Sequence, residues 1–201
     1  MTHFGDITKI RGADVPPVDA VIGGSPCQGL SIAGRRAGLA DERSGLFMEQ
    51  IRVIKEMRRS HGKPRWMVWE NVPGAFSSNK GEDFGAVLHE TIRIVCPKAP
   101  PVSVPQNGWP TSGCIVGDEW SLAWRVLDAQ FWGVPQRRRR IALVADFAGQ
   151  SAPEILFERE IVSGDSEPGE APREGTPGAA AAGTYPAIAR SITARYDGSP
   201  C

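Results

Sequence analysis

The chain has 201 residues, 41% of them hydrophobic, with 23 basic and 23 acidic side chains that cancel at neutral pH. This length allows one domain with a core of its own and excludes two full domains. Residues 1–147 carry 19 Lys or Arg against 15 Asp or Glu, whereas residues 148–201 carry 4 against 8. The body is therefore mildly basic and the tail acidic, a balance that permits nucleic-acid binding without requiring it.

The cysteines and the apolar runs argue against a metal-binding, a membrane-spanning and a secreted protein. The four cysteines are far apart and form no Cys-x-x-Cys pair, so we expect no metal site. No stretch reaches the roughly 18 consecutive apolar residues of a membrane span, and no charged start followed by an apolar run marks a secretion signal. We therefore expect a cytoplasmic location, a reducing compartment and no membrane partner.

The first half of the chain predicts strand, helix and strand. Residues 19–24 form an apolar run stopped by glycines, which indicates a buried strand ending in a tight loop. From Gly45 onward, apolar residues recur on one face of an amphipathic helix. Residues 66–69 predict a second strand. Cys27 and Glu70 then lie just past the carboxyl ends of two strands.

The second half of the body predicts a helix and a strand pair. Residues 83–95 show helical spacing, and residues 97–118 are expected to be irregular. Residues 124–127 and 140–145 predict two strands. This alternation favours an open α/β sheet, in which ligands bind beyond the carboxyl ends of the strands.

The composition of the tail differs from that of the body. Residues 148–184 are rich in Gly, Pro, Ala and acidic residues, which predicts a linker that buries little apolar surface. Residues 185–201 are a candidate start of a further recognition region. The predicted division is therefore a partial catalytic core in residues 1–147, followed by this linker and this short terminal segment.

Three short motifs stand in one order along the body. They are Gly-Gly-Ser-Pro-Cys-Gln at 23–28, Glu-Asn-Val at 70–72 and Gln-Arg-Arg-Arg-Arg at 136–140. Their content and spacing resemble the Pro-Cys-Gln, Glu-Asn-Val and Gln-x-Arg-x-Arg motifs of the DNA (cytosine-5)-methyltransferases, and the resemblance covers about residues 4–147. It implies a Rossmann-like, S-adenosylmethionine-dependent methyltransferase sheet that is truncated at its N-terminal strands.

The resemblance also implies roles for individual residues, with S-adenosylmethionine as methyl donor and duplex DNA as substrate. Catalytic roles fall to Cys27, Glu70, Arg138 and Arg140. Contacts to the methyl donor fall to Asp6, Ile7, Pro26 and Leu46. Contacts to DNA fall to Gln28, Ser31, Arg43 and Gln136, and the segment after Cys27 resembles the family's mobile catalytic loop.

The chemistry explains why these residue types are needed. A thiolate from Cys27 that adds to carbon 6 of cytosine makes carbon 5 nucleophilic enough to accept a methyl group. A protonated Glu70 beside ring nitrogen 3 lowers the barrier to that addition, provided that the base buries the carboxyl. The forked donors of Arg140 suit the exocyclic oxygen. The target base must leave the duplex to reach such a site.

The sequence also departs from the family. The family's Phe-x-Gly-x-Gly loop, expected upstream of Asp6, has no counterpart here, and Ala33 stands where Ser is frequent. A complementing methyltransferase segment is therefore a candidate partner. Three hypotheses follow: a cytosine-5 methyltransferase core, from a gene fragment or one half of a split enzyme; a catalytically incompetent DNA-binding remnant; and a thiol hydrolase, for which no His stands in a suitable motif.

Overall fold

The computed structural model describes residues 2–25, 45–132, 135–157 and a strand at 193–195. Six strands form one sheet in the order β1-β2-β5-β4-β3-β6. The strands are β1 (Ala20–Gly23), β2 (Trp66–Asn71), β3 (Ser112–Val116), β4 (Ser121–Asp128), β5 (Arg139–Asp146) and β6 (Thr193–Arg195). The helices are α1 (Gly45–His61), α2 (Glu82–Ile92) and α3 (Ala152–Leu156), with short 3-10 turns between them.

The sheet is mixed. β1 runs parallel to β2, while β5 lies antiparallel between β2 and β4, and β3 is antiparallel to β4. The connection from β1 to its parallel neighbour β2 includes α1, as a parallel pair requires. The α/β architecture predicted from the sequence is confirmed.

Helix α1 forms where the spacing of apolar residues predicts it. Phe47, Ile51, Ile54 and Met57 recur every three or four residues and are all buried, so one face of the helix packs into the core. Basic side chains gather in the last turn, where they complement the helix dipole. Among the described residues, no helix is long and apolar enough to cross a membrane.

Aromatic rings fill the core between α2 and the sheet. Phe84 of α2 lies edge-on to Trp109, Trp124 and Phe76, with ring centroids 4.7–5.7 Å apart. Trp69 of β2 is fully buried and contacts Phe84 with its ring tilted. Such edge-to-face arrangements are favoured by the ring quadrupoles. Helix α2 ends at Ile92, three residues before the predicted end.

The prediction of a buried first strand is wrong. Among the described residues β1 pairs with β2 alone and lies at one edge of the sheet, and its residues alternate between exposed and half-buried. The side chain of Ile22 is 75% exposed. Apolarity alone predicted burial here, whereas the described residues provide no strand on the outer side of β1. An exposed apolar edge of this kind is a site for pairing or aggregation.

The prediction that residues 97–118 are irregular is wrong in part. Strand β3 forms within them and pairs with β4, closed by a hydrogen bond from the Gly117 N–H to the Trp120 carbonyl. Strands β4 and β5 are also each longer than predicted, with eight residues. The five residues of β3 carry too weak a hydrophobic pattern to predict a strand from the sequence alone. They form one because they pair with the longer strand β4.

Folded structure continues beyond residue 147. Helix α3 begins at Ala152, which is fully buried against β4 and β5, and its N–H donates to Ser121 Oγ at 3.1 Å. The first part of the predicted linker, residues 148–157, therefore packs on the sheet. The rest of residues 148–184 lies outside the described residues, and the domain division stays a prediction.

A buried carboxylate joins α3 to the sheet. Asp146, fully buried at the end of β5, accepts two hydrogen bonds from the Arg65 guanidinium at 2.9 Å. It also accepts from the backbone N–H groups of Ala148 and Ser151 at 3.1 Å. Burial alone would raise the pKa of Asp146, but these donors outweigh it and hold the pKa well below its ordinary value.

We expect Asp146→Asn to lower the free energy of unfolding at pH 7 by about 2–3 kcal/mol. This is less than the loss of a fully buried ion pair would cost, because the Arg65 side chain is 42% exposed and solvent screens its charge. A depressed pKa in the folded state stabilises above the ordinary carboxyl pKa, and this stabilisation is lost as pH falls. The difference between the variant and the wild type should therefore shrink below about pH 4. Urea unfolding at pH 7 and pH 3 measures it.

Asp14→Asn is the matched control for this prediction. Asp14 pairs with Arg11, but both side chains are more than half exposed, so the change should cost under about 1 kcal/mol. Equal losses in Asp14→Asn and Asp146→Asn, or a difference that does not depend on pH, would contradict the assignment of Asp146 as a structural ion pair.

Candidate active site

Three chain segments meet at one edge of the sheet, which we call the carboxyl edge. It contains Gly23–Ser25 after β1, Glu70–Asn71 at the end of β2 and Arg139–Arg140 at the start of β5. The parallel pairing of β1 and β2 places their carboxyl ends together. The antiparallel pairing of β5 brings its first residues to the same edge, where Ile141 pairs with Asn71.

The end of β2 holds the chain that leads to Cys27. The Trp69 indole N–H donates to Ser25 Oγ at 3.0 Å, and the Asn71 amide donates to the Ser25 carbonyl at 3.1 Å. Asn71 is 2% exposed and also accepts from the Val72 N–H, so its side chain is fixed on both sides. Ser25 is thereby fixed at the carboxyl edge, two residues before Cys27.

Glu70 and Arg140 form an ion pair across β2 and β5. Arg140 Nε lies 2.8 Å from Glu70 Oε1, and Arg140 also donates to the Arg139 carbonyl at 2.8 Å. The Glu70 side chain is 46% exposed and that of Arg140 30%. The Glu70 carboxylate is thus partly open to solvent and paired with a guanidinium.

The carboxylate also lies close to the chain after β1. A Cβ on Gly24 would lie 3.1 Å from Glu70 Oε2. Gly24 stands three residues before Cys27, so the absence of a side chain there lets the Glu70 carboxylate approach the backbone of this segment. The structure thus brings Glu70 beside both Arg140 and the segment that precedes Cys27.

Gln136 and Arg138 precede β5 and are exposed. The Arg138 N–H donates to Asp128 Oδ1 at 3.1 Å and its carbonyl accepts from the Ala129 N–H, which pins the backbone of this turn to the end of β4. Among the described residues, neither side chain makes a contact that joins it to Glu70. The four-arginine run therefore contributes one side chain, Arg140, to the ion pair.

The predicted contacts to the methyl donor lie on two neighbouring elements. Asp6 precedes the 3-10 turn Ile7–Lys9, and Leu46 lies in the first turn of α1, 37% exposed. Asp6 accepts from the Thr8 N–H at 3.0 Å and from the Thr8 hydroxyl at 2.9 Å, which lowers the pKa of Asp6 below its ordinary value. The carboxylate therefore stays ionised and exposed near neutral pH.

Other predicted site residues fall outside the described part of the chain. They are Pro26, Cys27, Gln28, Ser31 and Arg43. Their assigned roles stay predictions, as do those of the residues described above.

Sequence reasoning missed two side chains that shape the site. One is Asn71, read only as part of a motif, which anchors Ser25. The other is Gln50 of α1, which is 5% exposed, has an Nε2 without a hydrogen-bond partner among the described residues, and lies against Gly23. A polar residue on the apolar face of a predicted helix was the available signal for Gln50.

Comparison with known proteins decides the family. A model of the C-5 cytosine-specific DNA methylases matches residues 1–94. Residues 1–94 of the chain belong to this family. Members of this family use S-adenosylmethionine as methyl donor. The cofactor predicted from the sequence is therefore confirmed.

The curated relatives that match the chain include bacterial and phage proteins. The DNA N-6-adenine-methyltransferase of Escherichia phage P1 is 37% identical over 188 residues, covering 81% of this chain and 25% of that protein. The type II methyltransferases M.NgoBV of Neisseria gonorrhoeae and M.AquIA of Picosynechococcus are 30% and 32% identical over 155 residues. These matches cover 77% and 73% of this chain.

The chain spans only part of each relative. It covers a quarter of the phage P1 protein, 31% of M.NgoBV and 54% of M.AquIA. A solved structure, the Dnmt2 methyltransferase of S. pombe, is 18% identical with a TM-score of 0.44, covering 70% of this chain and 35% of that one.

Proposed function

We propose that the chain carries the base-modifying part of the active site of a DNA cytosine-5 methyltransferase. Cys27 is the nucleophile, Glu70 the acid beside ring nitrogen 3 and Arg140 the donor to the exocyclic oxygen. The observation that carries the proposal is the Glu70–Arg140 ion pair at the carboxyl edge, beside the segment that leads to Cys27.

The proposed chemistry uses each group in turn. The Cys27 thiolate adds to carbon 6 of a flipped cytosine, and the electrons of the broken double bond become available at carbon 5. A proton held by Glu70 at nitrogen 3 and the Arg140 guanidinium at the exocyclic oxygen stabilise the charge that develops on the ring. Carbon 5 would then bond to the methyl group as the bond between that methyl group and the donor sulfur breaks. Loss of the carbon-5 proton and departure of the Cys27 thiolate from carbon 6 restore the aromatic ring.

The ion pair suits an enzyme waiting for its base. In the free protein each of the two side chains has a charged partner, so neither leaves an unpaired charge at the edge of the sheet. Both remain partly exposed, at 46% for Glu70 and 30% for Arg140, so an incoming planar base can reach them. A guanidinium and a protonated carboxyl that lie side by side can together bind the edge of a neutral base that has adjacent donor and acceptor atoms.

The residues on the methyl-donor side fit S-adenosylmethionine. Asp6 offers an ionised, exposed carboxylate to hydroxyl or ammonium groups, and Leu46 offers exposed apolar surface. One turn after Leu46, Gln50 holds a buried amide donor without a partner among the described residues, which costs about 1–3 kcal/mol unless an acceptor arrives. S-adenosylmethionine supplies an electrophilic methyl group; the residues of this chain only bind and orient it.

Partners follow from this chemistry. The substrate is duplex DNA, contacted by Gln28, Ser31, Arg43 and Gln136, with Arg138 beside the pocket. A complementing methyltransferase segment stays a proposed second partner. Affinity for DNA that depends on Arg43 should fall as salt concentration rises.

The name of the phage P1 relative motivates adenine as the alternative target. The match covers a quarter of that protein, and the name refers to the whole of it, of which three quarters lie outside the match. Methylation of an exocyclic amine needs no covalent thiol adduct, because the nitrogen itself is nucleophilic. The motif with Cys27 and the family model over residues 1–94 therefore support cytosine.

The test is a product analysis. The purified chain is incubated with unmethylated duplex DNA and S-adenosylmethionine, and the hydrolysed DNA is assayed for 5-methylcytosine and N6-methyladenine by mass spectrometry. We expect 5-methylcytosine, either from the chain alone or after addition of a segment that bears the Phe-x-Gly-x-Gly loop. N6-methyladenine as the product refutes the cytosine assignment, and no product in either reaction supports the DNA-binding remnant.

A further inference from the structure

One guanidinium connects helix α1 to the N-terminal segment that precedes β1. Arg52 Nη2 donates to the Ile7 carbonyl at 2.9 Å, and Arg52 Nη1 donates to the Ile10 carbonyl at 2.8 Å. These two acceptors lie at the start and just past the end of the 3-10 turn Ile7–Lys9. A single side chain thus donates hydrogen bonds to both ends of the turn that follows Asp6.

Arg52 is itself held by two carboxylates of its own helix. Glu49 accepts from Arg52 Nε at 2.7 Å, and Glu56 accepts from Arg52 Nη1 at 2.9 Å. Glu56 also accepts from the Gly12 N–H at 2.6 Å, and this hydrogen bond lowers the pKa of Glu56. All three charged side chains are about one-third exposed or less, so the network is shielded from solvent and fixes the guanidinium plane.

Little else attaches this segment to the body. The turn Ile7–Lys9 has no buried residue, and its own hydrogen bonds are local, from Lys9 N–H to Asp6 and from Ile10 N–H to Ile7. Among the described residues, the hydrogen bonds that join residues 6–10 to the rest of the chain all come from Arg52. Beside the half-buried side chains of Ile7 and Ile10, Arg52 is therefore the polar anchor that places the turn among the described residues.

The same helix carries another proposed donor contact. Leu46 stands six residues before Arg52, about 9 Å along the helix axis. Asp6 and Ile7 come from one segment and Leu46 from another, so a methyl donor that touches all three requires a fixed distance between the segments. Among the described residues, the Arg52 guanidinium is the polar connection that sets the distance between the two segments.

We propose that Arg52 is a positioning residue that clamps residues 6–10 onto α1 and thereby sets the affinity for S-adenosylmethionine. The inference rests on the proposed function, since it takes Asp6, Ile7 and Leu46 as donor contacts. Arg52 contacts the backbone of this segment, not the reacting atoms. Preorganisation of a binding segment raises affinity because its ordering no longer has to occur on binding.

The test compares Arg52→Met with Arg58→Met in the full chain. Arg58 lies on the same helix and also donates to backbone carbonyls, at Pro64 and Phe147, but far from residues 6–10. Hydrogen–deuterium exchange at the Lys9 and Ile10 amides measures the clamp without any ligand. Titration calorimetry with S-adenosylmethionine measures affinity, and Arg52→Lys tests whether charge without the fork suffices.

In Arg52→Met we expect faster exchange at Lys9 and Ile10 and an affinity for S-adenosylmethionine weakened by at least about tenfold. Arg52→Lys should be intermediate, because one ammonium cannot reproduce the fork. Where methylation is measurable, KM for the donor should rise with kcat little changed. Arg58→Met should change neither local exchange nor donor affinity.

Two results overturn the inference. Equal effects of Arg52→Met and Arg58→Met on affinity mean that Arg52 contributes only general stability. Absence of saturable donor binding by the wild type, with or without DNA, refutes the proposed donor site; faster exchange in Arg52→Met would then leave Arg52 as a purely structural clamp. Because exchange is read without the donor, the failure of the clamp and the failure of the proposed function are separable.

Discussion

Replacing Cys27 by Ala is expected to abolish methyl transfer, by on the order of 10⁴-fold or more. Without the thiolate, carbon 5 of cytosine stays too weak a nucleophile to accept a methyl group. Transfer of labelled methyl groups from S-adenosylmethionine to duplex DNA measures the loss. The assay uses whichever form of the protein is active, alone or with the complementing segment.

A second measurement separates the nucleophile from a merely structural cysteine. DNA with 5-fluorocytosine at the target should trap the wild type as a covalent adduct that survives denaturation, because fluorine cannot leave carbon 5 as a proton does. Cys27→Ala should form no adduct. Cys114→Ala is the control: Cys114 is buried in β3 and should be dispensable for trapping. Unchanged methylation in Cys27→Ala would sink the assignment.

Replacing Glu70 by Gln is expected to lower kcat about 10²–10⁴-fold, because the amide keeps the shape but cannot deliver a proton to ring nitrogen 3. The change also removes the ion pair with Arg140. Since both side chains are partly exposed, the free energy of unfolding should fall by no more than about 1 kcal/mol. Steady-state kinetics and urea unfolding separate the two effects.

Asp19→Asn is the matched control for Glu70→Gln. Asp19 forms an ion pair with Lys63 at 2.6 Å, at the opposite end of β1, with both side chains about half exposed or more. It should cost as little stability as Glu70→Gln and leave kcat unchanged. A Glu70→Gln variant that retains wild-type kcat, or that loses activity only in proportion to stability, contradicts the role of Glu70 as acid.

The periodic parts of the fold were predictable from the sequence. Helix α1 and strand β2 carry strong patterns of apolar residues over many positions, and both form where predicted. β1 and β3 are short, so their states depend on neighbours: β3 on its pairing with β4, and β1 on the absence of an outer strand among the described residues. Pairing is a tertiary property that no local pattern encodes.

The sequence names the residues of the candidate site but not their geometry. The motifs identified Glu70 and Arg140, yet nothing local in their segments indicates that the two side chains form an ion pair across β2 and β5. The roles of Trp69 and Asn71 in holding Ser25 also depend on the parallel register of β1 and β2. Registers of this kind depend on the whole sheet rather than on a window of sequence.

The central position of β5 also determines when the protein can fold. β5 lies between β2 and β4, so before residues 139–146 are synthesised the nascent chain has two separate strand groups that no backbone hydrogen bonds join. Pairing across 70 residues or more is slow compared with helix formation, and the hydrogen-bonding edges of β2 and β4 stay unpaired until it occurs. The described part of residues 1–94, the region that the family model matches, contains the β1–β2 pair without β5. A ribosome must therefore release β5 before the ion pair between Glu70 and Arg140 can exist.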